Sequence, residues 1–358
     1  MYNFIEKAKL IKAVQKKKDK SIGELINDLK EPMNQKQQKA FLHITSHFIE
    51  TQKLDNNAKQ LVFGLFGEAG TGKTYVINAL KEIMDDALLL TASTGVAAQN
   101  INGVTIHSVL AISPSRQYSA LTSAMAKANL MYKLDGYYYI LVEEVSMISL
   151  KTLGWINLRL KEAGKPDIVF GGFNIILVGD LLQLPSCGGF EIYRKNFEGV
   201  EFTSTIDRAL VEAGIEAYES LKTTVFLEEN IRQILDQDLL EVARKIRPGI
   251  YSKREREKVH EYLKKRFRDN IEDEADLKNF ENAINLFSKH YDKNTFIMQK
   301  LLKSTEQIFC IEAKDTIIKE QEEKPKKPKK QKKSKKTKKP EKKKHPKKKK
   351  GKKKLTMG

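Results

Sequence analysis

The sequence has few cysteines and no long hydrophobic stretch. Two cysteines, Cys187 and Cys310, are too few for a disulfide framework or a cysteine-based zinc site, and their scarcity favours a reducing compartment. No run of eighteen apolar residues occurs, and residues 1–20 lack the apolar segment of a secretory signal. We therefore expect a soluble, intracellular protein that has no membrane partner.

Acidic residues are scarce at the C-terminal end. The whole chain of 358 residues carries 65 Lys and Arg against 46 Asp and Glu, a formal net charge of +19. Residues 321–358 hold 21 lysines and three glutamates, so they carry +18 and the other residues carry +1. Because a Lys- and Pro-rich segment cannot bury a core, we expect residues 319–358 to form a disordered tail.

This tail suits a polyanionic partner. Its charge would bind the phosphate backbone of nucleic acid without reading sequence, and it has no aromatic residue on which a base could stack. A nuclear import signal, which would place the protein in the nucleus, and simple solubilisation are the other interpretations. The composition alone leaves these three alternatives open.

Apolar runs alternate with helical patterns through the first half of the chain. Helical periodicity covers residues 34–52, 74–84 and 145–163, and the predicted strands are residues 61–66, 87–92, 137–142 and 173–179. Strand and helix in alternation predict an α/β fold with a parallel sheet.

The pattern restarts near residue 220. A strand is predicted at 223–230, helices near 236–247 and 252–268, a further strand and helix within 283–304, and a strand at 308–313. We expect four parts in total: an N-terminal helical segment at 1–30, a first domain at 31–217, a shorter second domain at 218–318 and the tail at 319–358.

Residues 67–74, GEAGTGKT, match the phosphate-binding pattern G-x-x-x-x-G-K-[ST]. They stand directly after a predicted strand and before a predicted helix, a context that disfavours a chance glycine turn. Lys73 is expected to reach the β- and γ-phosphates of ATP, and the Thr74 hydroxyl to ligate Mg²⁺. The rest of the cradle comes from Gly67, Ala69, Gly70, Thr71 and Gly72.

Polar side chains follow two other predicted strands. Glu143 and Glu144 come after strand 137–142, and we expect Glu143 to hold the metal while Glu144 orients the attacking water. A solvated acidic turn is the alternative. Gln183 lies in GDLLQLP at residues 179–185, just past strand 173–179, where it could contact the γ-phosphate.

Together these segments resemble the Pif/RecD-like superfamily 1B DNA helicases, with the Pif branch closest. The resemblance runs from about residue 33 to 249. It covers MNQKQ at 33–37, the phosphate loop, TASTGVAAQNINGVTIHS at 91–108, VEEVSM at 142–147, FGGFNIILVGDLLQLPS at 170–186 and LEENIRQ at 227–233 followed by Asp236 and IRPG at 246–249.

The resemblance implies a RecA-like P-loop motor domain, a second RecA-like domain and an ATP-dependent DNA helicase that moves 5′→3′ on single-stranded DNA. Roles in repair, recombination, replication or telomere maintenance follow from it as well. Gln37 would read the adenine edge, Gln183 would sense the γ-phosphate, and Arg232 would reach across from the second domain as an arginine finger. The residues expected to contact DNA are Thr94, Gly95 and His107.

The sequence departs from the family pattern in three places. Glu143 stands where the family has aspartate, Ser186 replaces a proline, and no counterpart of motifs V and VI is found. A second hypothesis is therefore a nucleotide-switched nucleic-acid-binding protein without unwinding activity, a truncated or degenerate helicase. A third is a P-loop ATPase that acts on protein or small molecules. The sequence does not indicate the oligomeric state.

Aromatic side chains near the motifs favour core packing. Tyr137, Tyr138 and Tyr139 form part of a predicted strand, and Trp155 lies on the helix that follows, so we expect packing rather than base stacking. Cys187 has no histidine near it in sequence and is not expected to be a catalytic thiol.

Overall fold

The structure, a computed structural model, describes residues 32–53, 59–113, 117–186, 188–232, 236–247, 252–265, 278 and 284–304. Four predictions lie outside these residues: the helical segment at 1–30, the strand at 308–313, the tail at 319–358 and the environment of Cys187. The chain divides into two compact units after Lys278.

A six-stranded parallel sheet forms the centre of the first unit. Its strands are β1 (Val62–Gly67), β2 (Leu88–Ala92), β3 (Val104–Thr105), β4 (Tyr139–Glu143), β5 (Asn174–Gly179) and β6 (Thr223–Leu227). Their order is β3-β2-β4-β5-β1-β6, and every neighbouring pair is parallel. The predicted α/β class and parallel sheet are confirmed.

The described α-helices connect and flank these strands. They are α1 (Gln35–Lys53), α2 (Lys73–Met84), α3 (Gly95–Asn100), α4 (Ile106–Val109), α5 (Ala124–Leu134), α6 (Leu150–Ala163), α7 (Thr205–Glu219), α8 (Gln237–Ile246), α9 (Lys253–Lys265) and, in the second unit, α10 (His290–Leu302). None of the helices among the described residues is long and apolar enough to cross a membrane.

Alternate residues of each central strand belong to different hydrophobic clusters. In β1, Phe63 and Leu65 pack on one face of the sheet with Phe41 and Ile44 of α1, and Phe66 packs on the other. This is the arrangement of a parallel sheet covered on both sides, and it explains why its strands read as continuous apolar runs. The helix predicted at residues 34–52 is confirmed as α1.

The aromatic residues near the acidic pair divide between core and surface. Tyr139 is fully buried and its hydroxyl lies 2.7 Å from His47 Nδ1, and Trp155 is buried in an edge-to-face contact with Tyr118. Tyr137 is partly buried, whereas Tyr138 is exposed. Core packing is therefore confirmed for Tyr139 and Trp155, while Tyr138, which directly precedes β4, packs less than expected.

Strand β6 belongs to the sheet that carries the phosphate loop. It pairs with β1 from Phe63↔Thr223 to Gly67↔Leu227, although residues 218 onwards were expected to open a second domain. The expected boundary therefore does not coincide with a break in the sheet. Local periodicity identifies a strand but not its neighbours, which is why the sequence did not reveal this pairing.

Candidate active site

The phosphate loop joins the end of β1 to the start of α2. Gly70 and Gly72 have φ of 87° and 86°, in the region that favours glycine, and Gly72 is the residue before the first turn of α2. Parallel strands place ligands at their carboxyl ends, and here the backbone N–H groups of a loop and a 12-residue helix stand at that edge. Positive φ at glycines is typical of loops whose N–H groups bind anions.

Gln37 fastens this loop to helix α1. Its Nε2 donates a 3.1 Å hydrogen bond to the Thr71 carbonyl, and its Oε1 accepts one of 3.0 Å from the Asn34 N–H. A Cβ added at Gly72 would lie 2.3 Å from Gln37 Nε2, and the φ of 86° also favours glycine at this position. The structure thus gives Gln37 a loop-holding contact that the sequence did not reveal, and its expected reading of adenine stays a prediction.

Lys73 lies folded over its own loop. Its Nζ donates 2.9 Å hydrogen bonds to the Gly67 and Glu68 carbonyls. Burial lowers the pKa of Lys73, and the carboxylates of Asp180, Glu144 and Glu143 oppose that shift. The ammonium therefore stands in an acidic surrounding. Thr74, one residue further on, is exposed.

The acidic pair stands at the end of β4. Glu143 is only 8% exposed, and burial, with a smaller contribution from the Glu144 charge, raises its pKa to about 7, against the opposing effect of Lys73. Glu144 has a left-handed backbone, φ 55° and ψ 49°, which a non-glycine residue rarely adopts. Ser93 holds this turn, because its N–H and hydroxyl donate to the Glu143 and Glu144 carbonyls at 3.0 and 2.8 Å.

The oxygen-bearing side chains around the phosphate loop suit a hard divalent cation. Mg²⁺ prefers oxygen ligands, and the two residues expected to hold it, Thr74 and Glu143, carry a hydroxyl and a carboxylate. The raised pKa of Glu143 arises partly from its acidic neighbour, so a cation there would relieve a repulsion that the protein contains. The described residues hold no cluster of three or more His, Cys, Asp or Glu side chains that could bind a metal on their own.

A pocket of about 340 Å³ lies beside the acidic pair. Glu144, Gln183 and Thr94 all line it, which brings together side chains from the ends of three strands. The Gln183 N–H donates to the Asp180 carbonyl at 3.0 Å, so the turn after β5 fixes its position. Residues assigned to catalysis and to DNA contact thus share one cavity.

The three residues expected to contact DNA lie near the β2 end of this edge. Thr94 caps α3, its Oγ1 accepting from the Ala97 N–H at 3.2 Å. Gly95 is exposed, and a Cβ added there would meet nothing within 4 Å. His107 is half-buried on α4, and burial lowers its pKa. Only Thr94 also lines the pocket with Glu144 and Gln183.

Arg232 reaches the phosphate loop from the segment that follows β6. The Ile231 and Arg232 N–H groups donate to the Gly70 carbonyl at 2.9 and 3.4 Å, and Asn230 Nδ2 donates to the Ala69 carbonyl at 2.8 Å. The Arg232 side chain is exposed beside the loop, and its charge lowers the pKa of Lys73 slightly. The sequence predicted an approach from a second domain, whereas the structure has Arg232 five residues past β6, a strand of the same sheet.

Asp180 and Arg247 form a contact of this site that the sequence analysis missed. Arg247 donates through Nη1 and Nη2 to the two Asp180 oxygens at 2.6 and 2.5 Å. A polar residue just past a buried strand is a signal by which Asp180 could have been found. No such signal exists for Arg247, because its placement depends on how α8 packs.

Comparison with known proteins gives a consistent match. A model of the PIF1-like helicase family matches residues 32–238, more than half of the chain. An ATP-dependent DNA helicase Pif1 of Psychrobacter sp. (strain PRwf-1) is 35% identical over 129 residues, covering 35% of this chain and 20% of that protein. An ATP-dependent DNA helicase PIF1 of Trypanosoma brucei brucei is 38% identical over 183 residues, 48% of this chain and 19% of that protein. These two alignments therefore span about a fifth of each relative's length.

The fold also matches a solved structure. The crystal structure of Pif1 helicase from Candida albicans aligns with a TM-score of 0.51 at 19% identity, covering 77% of this chain and 56% of that chain. At this identity the likeness is one of fold, and it agrees with a RecA-like motor domain built on a parallel sheet.

Proposed function

Because the chain belongs to the PIF1-like helicase family, we propose that it is an ATP-dependent DNA helicase that moves along single-stranded DNA. One observation carries the proposal: Glu144 and Gln183, which we assign to ATP chemistry, line the same cavity as Thr94, which we assign to DNA contact. A motor needs such a link, since the state of the nucleotide has to change the grip on the strand. The two relatives described above are named ATP-dependent DNA helicases, which supports this activity.

ATP binding begins at the phosphate loop. Lys73 leaves the Gly67 and Glu68 carbonyls and turns its ammonium to the β- and γ-phosphates, while the loop N–H groups and the start of α2 bind the remaining oxygens. Gln37 keeps the loop in place throughout through its bond to Thr71. The free energy of binding is therefore not spent on ordering the loop.

Hydrolysis uses the acidic pair. Glu144 orients the attacking water and accepts its proton, and Gln183 donates to the γ-phosphate from the turn after β5. Thr74 and Glu143 would hold Mg²⁺, which neutralises phosphate charge when bound. Arg232 stabilises the charge that develops on the transferred phosphoryl group, as its exposed position beside Gly70 allows.

DNA is gripped on the β2 side of the same edge. Thr94, Gly95 and His107 contact the strand, and Gln183 transmits the presence of the γ-phosphate to the Thr94 side of the pocket. Exposed apolar side chains at Val96 and Leu184 flank this route and suit contact with bases. Polarity 5′→3′ and roles in repair, recombination, replication or telomere maintenance belong to the proposal through the family alone.

The remaining parts of the chain have separate roles in this proposal. Residues 218–318 contribute a partial second motor domain, with β6 inserted in the first sheet. Residues 319–358 bind nucleic-acid phosphates through their lysines, and the same lysines serve nuclear import if the protein works in the nucleus. The site of action is intracellular, where DNA is found.

One observation favours the switch hypothesis instead. Glu143 is a longer side chain than the aspartate of the family, and its raised pKa makes it a poor ligand below neutral pH. A protein that binds ATP but hydrolyses it slowly would still change its hold on DNA. That protein would be a nucleotide-controlled DNA-binding protein rather than a motor.

Strand displacement distinguishes the two. We expect the full chain with ATP and Mg²⁺ to release the labelled strand of a duplex that carries a 5′ single-stranded tail, and not one that carries a 3′ tail. Lys73→Ala should abolish release. ATP-dependent changes in DNA affinity without displacement on either substrate would contradict the helicase and support the switch. Displacement that persists in Lys73→Ala would contradict the assigned nucleotide site.

A further inference from the structure

Arg247 makes a paired charged contact at the edge of the sheet, and no step of the proposed reaction uses it. It stands at the end of α8 and binds Asp180 through two hydrogen bonds of 2.6 and 2.5 Å. Asp180 is only 3% exposed and directly follows β5. Two parallel bonds of this kind fix both the charge and the orientation of a carboxylate.

Asp180 also interacts electrostatically with the lysine of the phosphate loop. Its charge raises the pKa of Lys73, and Lys73 in turn lowers the pKa of Asp180. Lys73 Nζ is meanwhile bound by the Gly67 and Glu68 carbonyls, which hold it without neutralising it. The charge of the buried Asp180 carboxylate therefore acts on the partly buried Lys73 ammonium, whose hydrogen-bond partners are neutral carbonyls.

The arginine is itself anchored to the phosphate loop. Arg247 Nε lies 3.8 Å from Glu68 Oε1, and Arg244, one turn earlier on α8, donates to Glu68 Oε2 at 3.0 Å and to the Glu228 carbonyl at 3.1 Å. Helix α8 thus holds the loop after β1 and the turn after β5 at once. The position of Arg247 relative to Asp180 is fixed from both sides.

We propose that Arg247 is a positioning residue of the nucleotide site, which occupies both oxygens of Asp180 and so keeps that carboxylate from pairing with Lys73. The proposal rests on the proposed function, in which Lys73 binds the phosphates of ATP. With Arg247 in place, the lysine exchanges neutral carbonyl partners for phosphate. Without it, Lys73 has to break an ion pair with a buried carboxylate before it can bind ATP.

The physical basis is the cost of a buried, uncompensated charge. When one partner of a buried ion pair is removed, the other has to find a new counter-charge or take up a proton. For Asp180 the counter-charge with which it already interacts is Lys73. An exposed carboxylate would be hydrated instead, so this competition requires the burial that Asp180 has.

The test is equilibrium binding of a fluorescent ATP analogue with Mg²⁺ to the full chain. We expect Arg247→Ala to weaken binding about tenfold or more, and Arg247→Lys to weaken it less, because lysine keeps the charge but makes no paired hydrogen bonds. Adding Asp180→Asn to Arg247→Ala should restore affinity to within about threefold of Asp180→Asn alone. Arg208→Ala is the matched control, since the ion pair that Arg208 forms with Glu212 is exposed on the surface of α7, and the affinity of this variant should not change.

Thermal unfolding of each variant separates positioning from folding. A purely structural role predicts that the double variant recovers its unfolding temperature but not its affinity, and that outcome overturns the proposal. Unchanged affinity in Arg247→Ala, or in Arg247→Lys if the alanine variant does not fold, also overturns it. Failure of the unmodified chain to bind the analogue would instead contradict the proposed function.

Discussion

The Gln37 amide donates a 3.1 Å hydrogen bond to the Thr71 carbonyl, so a side chain of helix α1 holds the phosphate loop from outside. Both polar ends of this amide are engaged within the protein, because Oε1 accepts from the Asn34 N–H. The amide therefore ties the loop to the start of helix α1.

Gln37→Ala should weaken ATP binding about fivefold to tenfold, since one net hydrogen bond is worth about 1 kcal/mol. The matched control is Gln38→Ala: Gln38 Nε2 donates 2.9 Å to the Met33 carbonyl, away from the loop, so this change should leave ATP affinity unaltered. A titration with ATP and with GTP measures both. Equal losses for the two nucleotides indicate a role in holding the loop, a loss confined to ATP indicates reading of adenine, and no loss contradicts both.

Gly95→Ala should separate folding from DNA binding. Gly95 lies at the first position of α3 with open space around its Cα, and alanine there favours the helix by up to about 1 kcal/mol. The fold thus does not require glycine at this position, whereas we expect the close approach of a DNA strand to require it. We expect an unchanged or raised unfolding temperature, unchanged ATP turnover without DNA, and DNA binding weakened severalfold in fluorescence anisotropy. Unaltered DNA affinity would remove Gly95 from the proposed interface.

The phosphate loop shows which features the sequence predicts and which it does not. The spacing of Gly67 to Thr74 places a loop between strand and helix, and that prediction depends only on local order. The contact between Gly72 and Gln37 joins segments 35 residues apart, so no spacing rule contains it. The same holds for β6, whose apolar pattern predicts a strand but not its place beside β1.

Glu143 should make Mg²⁺ binding dependent on pH. Burial and the neighbouring Glu144 raise its pKa to about 7, so below that pH a cation has to displace a proton. We expect the Mg²⁺ concentration that supports half-maximal ATPase activity to rise roughly tenfold per pH unit below 7 and to level off above it. Glu143→Asp should move this rise to lower pH by about half a unit, since aspartate is the stronger acid.

The effect of pH on protein stability through Glu143 is opposite to its effect on Mg²⁺ binding. A carboxyl whose pKa is raised by folding is better tolerated when protonated, so without Mg²⁺ its contribution to stability is lost as the pH rises from about 4.5 to about 7. Glu143→Gln should remove that part of the pH dependence in thermal unfolding. A Mg²⁺ requirement that does not change between pH 6 and pH 8 would exclude Glu143 as a ligand.

Removal of residues 319–358 should flatten the salt dependence of DNA binding. The lysines bind phosphates by releasing counterions, so their contribution is large at about 50 mM salt and small at about 300 mM. We expect the shortened chain to bind single-stranded DNA at least about tenfold more weakly at the low salt concentration, with a much smaller difference at the high one. ATP affinity without DNA is the control and should not change. An identical salt slope in both chains would contradict a role for the tail in DNA binding.

The site residues also divide into those that local sequence predicts and those that only long-range packing brings to the site. Most site residues follow a strand or loop that is recognisable from the local sequence; these are Lys73, Thr74, Glu143, Glu144 and Gln183. They meet at one edge of the sheet because the carboxyl ends of parallel strands lie together. The position of Arg247 cannot be predicted in this way. Its neighbours, Asp180 and Glu68, follow β5 and β1, and only the packing of α8 brings the three together.

ATP turnover by the full chain, measured with and without single-stranded DNA, tests the central claim most directly. A motor whose Gln183 and Glu144 share a cavity with Thr94 should hydrolyse ATP at least about tenfold faster when DNA occupies that side, and Lys73→Ala should abolish turnover in both conditions. Turnover that DNA does not stimulate, in a chain that binds both ATP and DNA, would contradict the proposal that this protein is a DNA motor.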